Sequence, residues 1–204
     1  MMKLTSPLVA TTLFVLATIT GCSLAPKADP SQFFVLNSMS ESQASASTTE
    51  LDVALGLGPV WMPEYLRRPQ MVTRVGPNQV AYAEYDRWAQ PLEASFIRVL
   101  GEDLSGLLGV VDIAIHPWFS TAQLDFTVAI EVERFERDPS GAAQLRCMWV
   151  IRDGTSGDRL DSGQFNQSQP ADSASAGASV AAQSRLLGEL SREIATAIKR
   201  VAAR

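Results

Sequence analysis

The sequence predicts an α+β protein, a two-layer sandwich of a mainly antiparallel sheet with two amphipathic helices. Three patterns support this fold class. Apolar and polar residues alternate along several short segments, which is typical of strands with one buried face. Two longer segments place their apolar residues on one side of a helix. Turn sequences directly separate the later strands, which indicates antiparallel neighbours. Helices and a sheet that each bury one face pack together in two layers.

Four strands are predicted before the first helix, at Gln32–Asn37, Leu51–Leu57, Met71–Val75 and Gln79–Ala83. The polar, low-complexity residues 40–50 predict a loop between the first two strands. Gly58-Pro59 and Met62-Pro63 predict an irregular segment after the second strand, since both pairs are typical of chain breaks.

Both helices are marked by their ends as well as by their apolar stripes. The first is predicted from Pro91 to Gly109, because proline fits the first turn of a helix and glycine ends one. The second follows a loop of small residues at 166–179 and carries apolar residues from Val180 to Val201. Basic residues near its C-terminal end suit the helix dipole.

Between the helices, a strand opens at Val111 and a meander of three strands follows, at Leu124–Phe135, Gln144–Arg152 and Arg159–Gln167. Glu131 and Glu133 share the polar face of the first of these three, with Cα atoms about 7 Å apart. Paired carboxylates act as general acid and base in glycosidases. On an exposed strand face they more often provide solvation and resist edge aggregation, and we favour that interpretation here.

The first 22 residues have the features of a bacterial lipoprotein signal. An uncharged, mostly apolar run from Leu8 to Ile19 follows a lysine, and it is shorter than the roughly 20 apolar residues that span a membrane. The run ends in Gly21-Cys22, which is typical of a site where the cysteine is acylated before cleavage. We therefore expect an N-acyl diacylglycerol lipid on Cys22 and no other cofactor. The predicted segments are a signal peptide at 1–21, a lipidated tether at 22–31 and a single domain at 32–204.

Charge and cysteine content narrow the possible partners. The chain has 17 basic and 22 acidic residues and no basic cluster, so it is a poor candidate for binding nucleic acid or anionic headgroups. Membrane affinity is expected from the lipid anchor. The other cysteine, Cys147, alternates with Leu145, Trp149 and Ile151 along a strand, which predicts a buried free thiol and no disulfide.

No pattern in the sequence indicates catalysis or a metal site. His116 is the one histidine, and a zinc site would need two or three more ligands beside it. No phosphate-binding glycine pattern occurs either. We expect His116 to face solvent or to anchor a loop.

Four stretches resemble a known family. They are the segment from Gly58 to Arg74 (GPVWMPEYLRRPQMVTR), the segment from Arg87 to Leu92 (RWAQPL), Phe33–Leu36 and Arg134–Asp138. In this order and spacing they resemble the PqiC-type lipoproteins, also described as ABC-type transport auxiliary lipoprotein components. The resemblance extends over nearly the whole chain that follows Cys22.

The resemblance implies a non-catalytic outer-membrane lipoprotein that faces the periplasm and assists an MCE (mammalian cell entry) protein in phospholipid transport and membrane integrity. It also implies a sheet with two helices, as read above. Ser23, after the lipidated cysteine, favours the outer membrane. Since MCE conduits are rings, a closed homo-oligomer is expected. The alternatives are an adaptor of another envelope machine, such as lipopolysaccharide export or secretion, and a periplasmic hydrolase.

Within the matching segments, exposed tyrosine and arginine are typical of interfaces. The candidate partner interface is Tyr65, Arg67, Arg68 and Arg74. A structural role remains open for this loop, because Arg67 would equally pair with Glu64 on the surface. Trp88 and Pro91 are predicted to be structural, fixing the angle at which the chain enters the first helix.

Overall fold

The computed structural model describes residues 28–39, 51–111, 113–118 and 123–204. The predicted signal peptide, Cys22, most of the tether and the predicted loop at 40–50 lie outside these residues. Residues 31–204 form one compact unit.

Within the described residues the chain forms eight strands and two α-helices. In chain order they are β1 (Gln32–Phe34), β2 (Leu55–Trp61), β3 (Gln70–Gly76), β4 (Gln79–Trp88), α1 (Leu92–Leu108), β5 (Ile113–Ile115), β6 (Phe126–Arg137), β7 (Ala143–Asp153), β8 (Arg159–Gln169) and α2 (Ala176–Ala202). A short 3₁₀ turn, Glu64–Leu66, connects β2 to β3.

All eight strands belong to one mixed sheet, so the predicted α+β class is confirmed. The path through the sheet is β1-β4-β3-β6-β2-β5, and β7 and β8 extend it from β6. The antiparallel pairs are β3 with β4, β6 with β7 and β7 with β8. The N-terminal strands β1 and β2 pair in parallel with their neighbours.

The two helices and one face of the sheet enclose the core. Helix α1 packs on β2 and β5, α2 packs on β7 and β8, and the helices contact each other. Alternate residues of β7, from Ala143 to Ile151, are buried, whereas those between them are at least partly exposed. We call the buried side the inner face of the sheet and the other side its outer face.

The ends of α1 were predicted correctly, whereas the start of α2 was placed too late in the chain. Pro91 is the N-cap of α1, and Gly109 ends it in the left-handed conformation at φ 70°. Helix α2 begins at Ala176, within the predicted loop, because the Ser175 side chain accepts a hydrogen bond from the Ala178 backbone N–H.

Several strands differ in extent from the predictions. Strand β1 ends at Phe34 rather than Asn37, β2 begins at Leu55 rather than Leu51, and β8 reaches Gln169, inside the predicted loop. Strand β2 continues through Gly58-Pro59, where a break was expected. Its pairing with β6 shifts register between Leu57 and Val60, and a proline at such an irregularity leaves no ladder hydrogen bond unmade. Strand β4 reaches Trp88 rather than ending at Ala83, since an irregularity between its pairings to β3 interrupts the alternation on which the prediction depended.

Candidate partner-docking site

Tyr65 and Arg74, two residues of the predicted interface, hold a buried carboxylate. The Glu136 side chain is 1% exposed. Its Oε1 accepts a hydrogen bond from Arg74 Nε at 2.5 Å, and its Oε2 accepts one from the Tyr65 hydroxyl at 2.8 Å. The Phe135 backbone N–H donates to Oε2 at 3.1 Å. A buried charge requires such partners, so these side chains contribute to folding.

The same contacts raise the pKa values of both donors, Tyr65 and Arg74. Burial, together with the hydrogen bond to Glu136, raises the pKa of the Tyr65 phenol well above its ordinary value. The hydrogen bond to Glu136 raises the pKa of the Arg74 guanidinium. Both groups therefore keep their protons and stay donors to the carboxylate.

Arg67 and Arg68 are adjacent in the chain but reach different surfaces. Arg67 is about half exposed and lies 3.7 Å from Glu64 and 3.8 Å from Glu93, in two loose ion pairs. The pair with Glu64 is the structural alternative that the sequence left open. The Arg68 guanidinium lies 5.0 Å above the centre of the Tyr82 ring. Of the four predicted interface residues, Tyr65 and Arg74 thus share a partner, whereas Arg67 and Arg68 contact other residues.

Arg67 borders an open groove of about 470 Å³. The groove is lined by Pro59, Val60, Arg67, Pro91, Leu92, Glu93, Ala94, Ile97 and His116. Most of these side chains are apolar, and Arg67, Glu93 and His116 supply the polar groups. We call this surface the Arg67 groove. It combines apolar side chains with a few polar ones, which is the composition of a site that accepts a side chain or a short segment of another molecule.

His116 reaches the groove from the loop after β5. Its backbone N–H donates to the Leu57 carbonyl at 2.9 Å, and its exposed ring packs edge-on against Trp118 at 5.1 Å. It is therefore exposed and anchored in a loop, as predicted. Among the described residues, no group of three or more His, Cys, Asp or Glu side chains is placed to hold a metal ion.

The other residues singled out in the sequence lie in the core or on the surface of the sheet. Trp88 is 5% exposed in the core, and its backbone N–H donates to the Pro69 carbonyl at 2.7 Å. Glu133 forms an ion pair of 2.7 Å with Arg146, whereas Glu131 is exposed. Cys147 is buried and free, as predicted, and burial raises the pKa of its thiol to about 12.

Sequence reasoning missed the importance of Glu136. Its burial depends on a register irregularity between Val132 and Arg134, after which Phe135 faces the core and Glu136 lies on the outer face beneath Tyr65. A strand ending in alternating charged and aromatic residues gives no local sign of this. The one available signal was the presence of an acidic residue inside a segment that resembled the family.

A mixed sheet with two helices on one face defines an α+β domain. The chain belongs to the family of ABC-type transport auxiliary lipoprotein components, whose profile matches residues 34–195.

Two solved structures share this fold. A Xanthomonas campestris protein of family DUF330 is 16% identical with a TM-score of 0.70, and the match covers 85% of this chain and 100% of that one. An uncharacterised protein is 19% identical with a TM-score of 0.66, over 82% of this chain and 98% of that one. No curated protein matches the chain.

Proposed function

We propose that this protein is a non-catalytic outer-membrane lipoprotein that docks onto an MCE-type phospholipid transporter and thereby supports membrane integrity. The observation that carries the proposal is the family match over residues 34–195, which assigns the chain to transport auxiliary lipoproteins. The motif resemblance to PqiC-type lipoproteins supports the MCE protein as the partner. The Arg67 groove supports docking, because it offers an exposed cation above apolar side chains.

The docking test replaces Arg67 and His116 with alanine together. Interface residues of this kind contribute about 2 kcal/mol or more when they anchor a contact, so affinity for the purified MCE protein should fall by roughly 30-fold. The melting temperature should stay nearly unchanged, since both side chains are exposed and the two ion pairs of Arg67 are long. Affinity and thermal unfolding are measured on one preparation.

Arg68→Ala is the matched control, because it removes an adjacent arginine that faces Tyr82 rather than the groove. Tyr65→Ala would not separate docking from folding, because it also removes a partner of buried Glu136. Unchanged affinity of the Arg67→Ala/His116→Ala variant would exclude the groove as the docking site. Capture of a lipopolysaccharide-export or secretion component instead of an MCE protein would replace the proposed partner.

The proposal includes a closed homo-oligomer. A ring-shaped partner presents the same surface several times, and a closed ring of copies matches it with one repeated contact. The mass of the lipidated protein in detergent, measured by light scattering, should be a multiple of the protomer mass. A monomer that stays monomeric on the purified partner would contradict this part of the proposal.

A further inference from the structure

One row of paired residues crosses the β1-β4-β3 end of the sheet on its outer face. Phe33 pairs with Arg87, and Arg87 pairs with Gln70. Residues that pair across strands direct their side chains to the same face. Met71 and Trp88, which follow Gln70 and Arg87, are buried at 1% and 5%, so the row itself points away from the core.

Exposed aromatic rings surround this row. Phe33 is 65% exposed, and Tyr85, two residues before Arg87, is 43% exposed. Tyr82 is 40% exposed, and its ring lies 5.0 Å beneath the guanidinium of Arg68, which precedes Gln70 by two residues. Trp61 is the fourth exposed aromatic residue of the described chain, and it lies on β2. We call the surface formed by Phe33, Arg68, Tyr82, Tyr85 and Arg87 the β4 face.

The charge of the β4 face differs from that of the chain. The net charge is −5, yet Arg68 and Arg87 bring two positive charges to this face, and Arg87 Nε is buried without a hydrogen-bond partner. Of the two acidic residues of β4, Glu84 is exposed, and Asp86, next to Arg87, pairs with Arg137 at 3.7 Å. Aromatic rings beside long cationic side chains are the chemistry found at the boundary between water and lipid.

The chain reaches this face directly from the proposed anchor. Phe33 follows Cys22 by eleven residues, a separation that cannot exceed roughly 40 Å even when fully extended. Strand β1 is an edge strand of three residues, so the tether meets the domain beside the β4 face. A lipid on Cys22 would therefore keep Phe33 within roughly 40 Å of the anchoring membrane and supply the high local concentration that a weak contact needs.

We propose that the β4 face lies against the phospholipid headgroup layer of the anchoring membrane. Phe33 and Tyr85 enter the interfacial region, and Arg68 and Arg87 approach the phosphates. This inference rests on the proposed lipid anchor and adds an orientation to the proposed function. It leaves the Arg67 groove for the partner protein.

The experiment measures how deeply one site lies in the bilayer. A nitroxide is attached at Gln70→Cys, in the row with Phe33 and Arg87, and at Thr196→Cys, an exposed position on α2. Buried Cys147 stays unlabelled. The lipidated protein is placed in phosphatidylcholine vesicles, and relaxation by oxygen is compared with relaxation by a water-soluble chromium complex. The ratio of relaxation by oxygen to relaxation by the chromium complex should be several-fold higher at position 70 than at position 196.

Two further variants keep the nitroxide at position 70, one as a test and one as a control. Phe33→Ser with Tyr85→Ser should lower the ratio to the value found at 196, whereas Trp61→Ser, an exposed aromatic outside the β4 face, should leave it unchanged. A ratio at 70 equal to that at 196 in the unsubstituted background overturns the inference. If the label at 70 becomes protected only after the MCE protein is added, the face is a protein interface, which also overturns it.

Failure of the membrane-facing inference can be distinguished from failure of the proposed function. The mass of the N-terminal peptide reports lipidation independently. If Cys22 carries no lipid, the chain is held through an N-terminal hexahistidine on nickel-chelating lipids in the same vesicles, and the two labelled sites are compared as before. Affinity of the Phe33→Ser/Tyr85→Ser variant for the MCE protein in detergent should equal that of the wild type, since the Arg67 groove is untouched.

Discussion

Tyr65 and Arg74 both belong to the predicted partner interface, and both donate to Glu136. Removing one partner of a buried ion pair leaves an uncompensated charge, which costs about 3–5 kcal/mol in proteins. We therefore expect Arg74→Ala to lower the free energy of unfolding by about that amount, measured by urea denaturation. Arg68→Ala should change it by less than about 0.5 kcal/mol, as surface substitutions do.

The stability lost in Arg74→Ala is attributed to the charge of the buried Glu136 carboxylate, and a second variant tests this. Glu136→Gln removes the charge, so Arg74→Ala in the Glu136→Gln background should cost clearly less than in the wild type. Equal costs in the two backgrounds would show that Arg74 stabilises the fold by another route.

Cys147 provides a second test at the scale of a single residue. Its thiol is buried, and its pKa is raised to about 12 by burial and by the nearby Glu193 and Glu133. A bulky thiol reagent at about pH 8 should label the native protein slowly and the urea-unfolded protein rapidly, because the thiolate is the reactive form. Cys147→Ala should cost on the order of 1 kcal/mol. Rapid labelling of the native protein would contradict the placement.

At the scale of secondary structure elements, Asp103 joins both helices to the segment after β1. Its Oδ1 accepts the Met39 backbone N–H at 2.7 Å, and its Oδ2 accepts the Ser191 hydroxyl of α2 at 3.2 Å. Asp103 is 2% exposed, and burial raises its pKa. The folded state therefore binds a proton more tightly at this site than the unfolded state does.

Because the folded state binds the Asp103 proton more tightly, the stability of the protein depends on pH. Stability falls as pH rises from the ordinary pKa of an aspartate, about 3.9, through the raised pKa of the folded state. Asp103→Asn removes this contribution. The free energy of unfolding of the wild type, minus that of the variant, should decrease as pH is raised from about 4 to about 7. A difference that is constant or increases over this range would contradict the raised pKa.

The elements also show what the sequence could predict. Helix α1 was bounded correctly because Pro91 and Gly109 act locally. Glu136 could not be placed, because its face depends on how β6 pairs with β7 around an irregularity. The contacts of the candidate interface residues could not be predicted for a similar reason. Arg67 and Arg68 are neighbours in sequence, but Glu93 and Tyr82, which determine where their side chains lie, come from distant positions in the chain.

At the scale of the whole molecule, the two proposals assign two binding surfaces to one domain. The Arg67 groove is proposed for the transporter and the β4 face for the membrane, and adjacent residues Arg67 and Arg68 belong to different surfaces. Substitutions at the two surfaces should therefore separate the two activities. Arg67→Ala/His116→Ala should weaken the transporter contact while the β4 face still meets the bilayer, and Phe33→Ser/Tyr85→Ser should do the reverse.

The proposed lipid on Cys22 should dominate membrane attachment. None of the helices in the described residues has the length and apolar character needed to cross a membrane. Each buried methylene of an acyl chain contributes about 0.8 kcal/mol, so two or three chains together outweigh the contact of a few aromatic rings.

Cys22→Ser should therefore move the protein from the membrane fraction to the soluble periplasmic fraction after cell fractionation. Cys147→Ser is the matched control, because it removes the other cysteine and should leave the protein on the membrane. A Cys22→Ser protein that stays in the outer-membrane fraction, or a wild-type N-terminus without acyl mass, would contradict the anchor.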